Sequence, residues 1–182
     1  MGAVMSLEAV MSSFDPALLD DFDQICRLSH ARYRRYPAAD LLEHDGRAAA
    51  ACTYCHMYEE TTRRWAERAG IKPLDIRGRK VWLIGSDFVV RLKKTDEDGR
   101  SRNYPTKQDM EYDRGASLPG LPAPAIRLTV GYLLSPTQTD IIRVQVSKPR
   151  GRVIEWRAAI VPASPASGGK RWQDVTRQRG FG

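Results

Sequence analysis

From residue 80 onward, apolar and polar side chains alternate in a series of short runs. Phe88, Val90 and Leu92 are interleaved with Val89, Arg91 and Lys93, and Ile126, Leu128, Val130 and Tyr132 with Arg127, Thr129, Gly131 and Leu133. The same period recurs as Ile142, Val144 and Val146 against Arg143, Gln145 and Ser147, and as Ile154, Trp156, Ala158 and Ile160 against Glu155, Arg157 and Ala159. A period of two describes strands with one buried and one wet face. The expected sheet is therefore apolar on one side and arginine-bearing on the other, with Trp156 anchored in the core.

Before residue 70 the period changes. Asp15 followed by Pro16 is an N-cap with proline at the first helical position, and Leu18, Leu19, Phe22, Ile25, Cys26 and Leu28 continue at helical spacing. This predicts a helix over about 16–35. Pro37 interrupts it, and a second helical stretch runs to Ala69 with Gly70 as its stop, broken near Asp45 and Gly46. The two should form a helical hairpin.

Residues 71–79 are expected as a basic connector, followed by a strand pair around the turn Gly85-Ser86. Thr95 to Asn103 is read as a charged loop, in which Asp96, Glu97 and Asp98 make a solvated turn. Thr106 with Asp109 resembles a capping box opening a short helix over 107–114. Strands near 126–134, 140–148 and 152–161 then form an antiparallel meander. The reading is one α+β domain over 1–161, helical to 70 and sheet from 71, with a hairpin packed on a roughly five-stranded antiparallel sheet. A mobile basic tail occupies 162–182.

The formal charge of +7 is unevenly placed. Residues 1–70 hold 8 Lys and Arg against 11 Asp and Glu, leaving 21 of the 29 basic and 11 of the 22 acidic residues for 71–182. A basic half suggests a polyanionic partner, nucleic acid or an acidic protein, with plain solubility as the alternative. No apolar run approaches a membrane span and no basic leader opens the chain, so a cytoplasmic protein without membrane contact is expected. Three cysteines argue against a secreted disulfide scaffold.

The candidate anion-binding residues are Arg91, Lys93, Arg127, Arg143 and Arg157, which share one phase of the alternation. They could also stabilise a phosphorane in a metal-independent ribonuclease, with Glu155 or a tyrosine moving the proton; the plainer role for Glu155 is an ion pair with cross-strand arginines. The strands' wet positions carry no aromatic platform, so backbone contact is favoured over base reading. Tyr104, Tyr112 and Trp172 are the aromatics that loops can add.

All three cysteines and all three histidines lie between residues 26 and 56. Cys26, His30, Cys52 and Cys55 make a conceivable zinc set, and Cys52-Thr53-Tyr54-Cys55-His56 has the spacing of c-type haem attachment. Against both, Cys52, Cys55, Tyr58, Thr62 and Trp65 fall on one helical stripe, which predicts thiols packed on the core and no cofactor.

Arg91-Leu92-Lys93-Lys94, Ser101 to Thr106, Leu118 to Pro122, Thr129 to Tyr132 and Thr137 to Asp140 resemble an uncharacterised bacterial family often encoded beside helix-turn-helix regulators with a zinc-peptidase-like domain. The resemblance spans about 80–160 and implies a toxin–antitoxin or phage-defence setting with a cognate regulator or antitoxin as partner. It supplies no catalytic residues. The expected function is polyanion binding by the basic sheet face, with a ribonuclease toxin and a purely protein-binding regulator as alternatives.

Overall fold

The computed structural model describes residues 5–76, 78–101, 106–115, 120, 125–165 and 169–176. Helices come first. Ser6 caps α1 (Leu7–Ser13). Asp15 caps α2 (Pro16–Tyr33), its Oδ1 accepting from Leu18 N at 2.7 Å with Pro16 at the first position. After the short α3 (Ala38–Glu43), which buries nothing, Asp45 caps α4 (Gly46–Trp65). α2 and α4 pack against each other, but α1 precedes them and α3 lies between them, so the helical part is more than the simple hairpin expected; Asp21 ties α2 to α4 by accepting from Trp65 Nε1 at 2.9 Å and pairing with Arg64 and Arg68.

Among the described residues seven strands follow: β1 (Ile71–Ile76), β2 (Arg79–Ile84), β3 (Phe88–Lys94), β4 (Ile126–Leu134), β5 (Ile141–Arg150), β6 (Val153–Ile160) and β7 (Trp172–Asp174). They form one sheet whose spatial order is the chain order. Every neighbouring pair is antiparallel except β3 and β4, which run parallel with Arg91 opposite Thr129. The expected five antiparallel strands are thus seven, and mixed. The supposed basic connector is β1, paired with β2 along its length from Ile71↔Ile84 to Ile76↔Arg79. Part of the supposed tail is β7, pinned by buried Trp172 opposite Ile160. Residues 166–168 and 177–182 of that tail lie outside the described residues.

The apolar phase of the strands packs on α1, α2 and α4. Val90, Leu92, Leu128, Val130, Tyr132, Val144, Val146, Trp156, Ala158 and Ile160 meet Phe14, Phe22, Met57 and Trp65 in one core. Aromatic edges knit it together, with ring centroids 5.0 Å apart for Phe14 and Phe88, 6.0 Å for Phe22 and Trp65, and 5.9 Å for Trp65 and Trp82. Trp156 lies in this core as its phase predicts. The buried face of α4 is Thr53, Met57, Thr61 and Trp65, one step from the predicted stripe, so Cys52 is half-buried and Cys55 exposed. The core-packed thiol is Cys26, on α2. Among the described residues no helix is long and apolar enough to cross a membrane.

The long connection between the parallel strands holds a short turn at 95–101 and α5 (Lys107–Asp113), whose cap Thr106 Oγ1 accepts from Asp109 N and donates to the Asp109 carboxylate. Both lie over the second face of the sheet. Close approach there demands a residue without Cβ at 131: an added methyl would sit 2.3 Å from Thr95 Cγ2 and 2.9 Å from the Lys93 carbonyl oxygen. Gly131→Ala is expected to cost about 1–3 kcal/mol through overpacking, read as a lower urea midpoint with an unchanged denaturant slope.

Candidate anion-binding site

The five predicted residues do share one face, but that face is roofed. Arg91 and Arg157 are each 4% exposed, and Lys93, Arg127 and Arg143 are half-buried. The expectation of a wet basic face is corrected here. Alternation identified the second face and missed its cover, which brings its own carboxylates and hydrogen-bonding groups.

The cover is built around Tyr112. Its hydroxyl donates to the Val89 and Leu128 carbonyls at 2.9 and 3.0 Å, and the Arg91 guanidinium stacks 4.5 Å from its ring, with Arg127 and Arg79 at 5.4 and 5.5 Å. Arg91 donates from Nε to Thr129 Oγ1 (2.8 Å) and pairs with Asp113 at 2.6 Å and Asp109 at 3.4 Å. Asp109 also meets Arg79 at 3.0 Å. Arg127 donates to the Glu111 and Tyr112 carbonyls at the end of α5, a cation where the helix dipole is negative.

The same environment sets the protonation balance. Burial pushes the Asp113 carboxyl above its ordinary value, outweighing the Arg91 attraction. For Asp109 burial acts upward as well, but Lys93, Arg79 and Arg91 together hold it low. Burial also lowers the Lys93 ammonium and the Arg127 guanidinium.

Beside α5 the turn at 95–101 is stitched to the sheet. Gln145 Nε2 donates to Thr95 Oγ1 and the Asp96 carbonyl, both at 3.0 Å, and Ser147 Oγ to the Gly99 carbonyl at 3.0 Å. Asp96 accepts from the main-chain N–H groups of Asp98 and Arg100, so this is an organised turn and not a loosely solvated one. Arg157 runs beneath it, with Asp98 3.9 Å from Nη1.

Where this cover meets the β5–β6 turn it leaves a hollow of about 300 Å3. Exposed Arg100, Arg114 and Arg152 stand on its rim, the Arg91–Asp113 pair forms part of its wall, and Met110, Pro149, Val153 and Ile154 give it an apolar lining. None of the three rim arginines makes an ion pair among the described residues, unlike Arg91 below them. Three unneutralised guanidinium groups around an apolar hollow suit an anion that also presents a flat or apolar part. No family model matches the chain, and neither a curated protein nor a solved structure matches it.

Sequence reasoning overlooked the rim arginines because none lies in a strand's alternating phase. A signal was present: each adjoins a glycine in a turn, Gly99-Arg100, Arg114-Gly115 and Gly151-Arg152, and all three glycines have positive φ. Glu155 meets Lys148 at 3.2 Å, a cross-strand ion pair with lysine where arginine was expected. Tyr104 lies outside the described residues, and Tyr112 and Trp172 are buried, which withdraws both from base stacking.

Among the described residues no three His, Cys, Asp or Glu side chains come together as a metal set. His56 of the haem-like spacing hydrogen-bonds Tyr36 Oη at 2.9 Å through Nε2, and Cys26 lies in the main core, its thiol pushed up by burial.

Proposed function

We propose that the chain binds the phosphate backbone of a nucleic acid through Arg100, Arg114 and Arg152, with the buried arginines of the sheet as scaffold for this cradle. The observation that carries the reading is the convergence on one hollow of three exposed guanidinium groups that make no ion pair among the described residues. Arginine's fork matches phosphate oxygens, and apolar lining beside it accepts sugar or base edges without reading sequence. In the bacterial module implied by the resemblance, such a chain serves as the effector or as the partner that the regulator holds.

Binding to single-stranded RNA and to duplex DNA, titrated by fluorescence anisotropy over a range of salt, tests this. Each neutralised phosphate contributes about −0.7 to the log–log salt slope for single strands and about −0.9 for duplex. Replacing Arg114 and Arg152 by alanine should flatten the slope by about 1.4 or about 1.8, respectively. Arg32→Ala, on the helical side, should leave it unchanged. A parent protein that binds neither polymer at low salt sinks the proposal, and binding only to an acidic protein would replace it.

A further inference from the structure

The helical side holds a second recess, at the end of the sheet away from the arginine cradle. Its volume is about 200 Å3. The end of α2 supplies His30, Tyr33 and Arg34, the entry to α4 supplies His44, β3 ends there with Lys94, and the β4–β5 connection closes it with Gln138. Two of these polar groups are withdrawn from solvent, His30 at 6% and Tyr33 at 5% exposure. Burying such groups is costly unless they are held or used.

The walls are fixed by contacts within the recess. Tyr33 Oη lies 3.3 Å from His44 Nδ1 and the two rings stack at 13°. Lys94 Nζ reaches Gln138 Oε1 at 3.2 Å, and Gln138 is held at a φ of 58°, a left-handed conformation uncommon outside glycine. Asp45, a carboxylate of the lining, is spent on the helix: it accepts from Arg47 N and Ala48 N at 2.9 and 2.8 Å. Arg34 makes no ion pair among the described residues. The wall thus brings Arg34, Lys94 and two imidazoles together, with Asp140 facing His30 from the adjoining hollow.

We propose that this recess binds a phosphate group, as the free ion or as a small monoester, with Arg34 and Lys94 as its counter-charges and His30 and His44 as ring donors. Size selects the ligand class, since pockets for drug-sized molecules run to about 300–1,000 Å3. A more open adjoining hollow shares His30 and Arg34 and is lined by Arg27, Ala31 and Asp140, which leaves room for the organic part of a monoester. Proton linkage follows. Burial first, then the Arg34 charge, holds His30 below the ordinary imidazole value, while Asp140 and the Gln138 main chain act the other way. An entering dianion opposes both dominant effects, so His30 takes up a proton as phosphate binds. Affinity for the phosphate dianion, once the ligand's own protonation in the same range is allowed for, should therefore rise as pH falls through the imidazole range. Asp45, His44, Tyr33 and Tyr132, the last with its ring 6.2 Å from His30, are the other titratable groups around it.

The site is independent of the cradle, and the test keeps the two apart. Inorganic phosphate and glycerol 3-phosphate are titrated into the full chain by calorimetry at about pH 8 and about pH 6, spanning the imidazole value of about 6.5. Chloride at matched ionic strength is the control. Binding of either phosphate is expected, with an affinity that tightens at the lower pH when expressed per dianion, and the tighter of the two names the source. The paired substitution Arg34→Gln, Lys94→Gln should weaken it more than tenfold, while Arg114→Ala with Arg152→Ala leaves it intact. In the unsubstituted protein, the His30 ring signals followed by NMR should titrate at higher pH when phosphate is present. No binding by either compound, an equal response to chloride, a His30 titration that phosphate does not move, or loss only on cradle substitution would overturn the proposal.

Discussion

Arg91→Ala should lower stability by about 3–5 kcal/mol, the range for breaking a buried ion pair from one side. That is a large part of the ~5–15 kcal/mol that holds a domain folded. The substitution removes the donor to Thr129 and the stack on Tyr112, and it leaves Asp109 and Asp113 beside each other without their shared guanidinium. Acidity should partly repair the loss. In the parent, Asp113 already has a raised folded value, so its ionised form opposes folding; this relaxes as pH falls through that value and is complete below the ordinary 3.8. Asp109, held low, behaves oppositely and loses its contribution as pH falls below 3.8. Without Arg91 both carboxyls move upward, and protonating either relieves the repulsion. Urea denaturation at neutral and mildly acidic pH should show a deficit that narrows on acidification. A deficit below about 1 kcal/mol, the range of a surface pair, or one that widens, would show that Arg91 is not the post on which the cover stands.

Tyr112→Ala is expected to be as severe, at about 3–5 kcal/mol for emptying a buried aromatic site. Its ring is fully buried and three guanidinium groups lie around it. Tyr112→Phe keeps the ring and forfeits the hydroxyl's bonds to the Val89 and Leu128 carbonyls, so its cost should be nearer 1 to about 2 kcal/mol. Thermal and chemical melts of the two variants separate packing from hydrogen bonding. Equal losses would mean that the ring contributes little and that the cover is held by its ion pairs.

α2, α4, α5 and the central strands were legible because each carries a local signature, whereas α1, capped by Ser6, was not read. Asp15-Pro16, Thr106 with Asp109, and the alternation from Phe88 to Ile160 are readable without knowing what lies across the molecule. β1 was not, because Lys72, Pro73 and Asp75 interrupt its apolar pattern; as an edge strand it tolerates a proline and charges that a central strand would not. β7 is three residues long and owes its place to Trp172. The parallel pairing of β3 and β4 is a long-range choice with no local mark. The same holds for the candidate site. An arginine in a polar phase reads as solvated, and only the placement of Asp109, Asp113 and the turn at 95–101 shows that Arg91 and Arg157 are enclosed, which leaves Arg100, Arg114 and Arg152 as the exposed charge.

Chain-ordered strands also have a kinetic meaning. Pairings within β1–β3 and within β4–β7 close through connections of short or moderate length, whereas β3 and β4 are separated by all of residues 95–125. The entropy of loop closure is therefore concentrated in one event, and long-range pairing of this kind is slow relative to hairpin formation. Two meanders can form early and independently. The arginine cradle, which draws residues from both meanders and from the segment that joins them, comes into being only when that single crossing is made, so binding competence should emerge in the last kinetic phase of refolding.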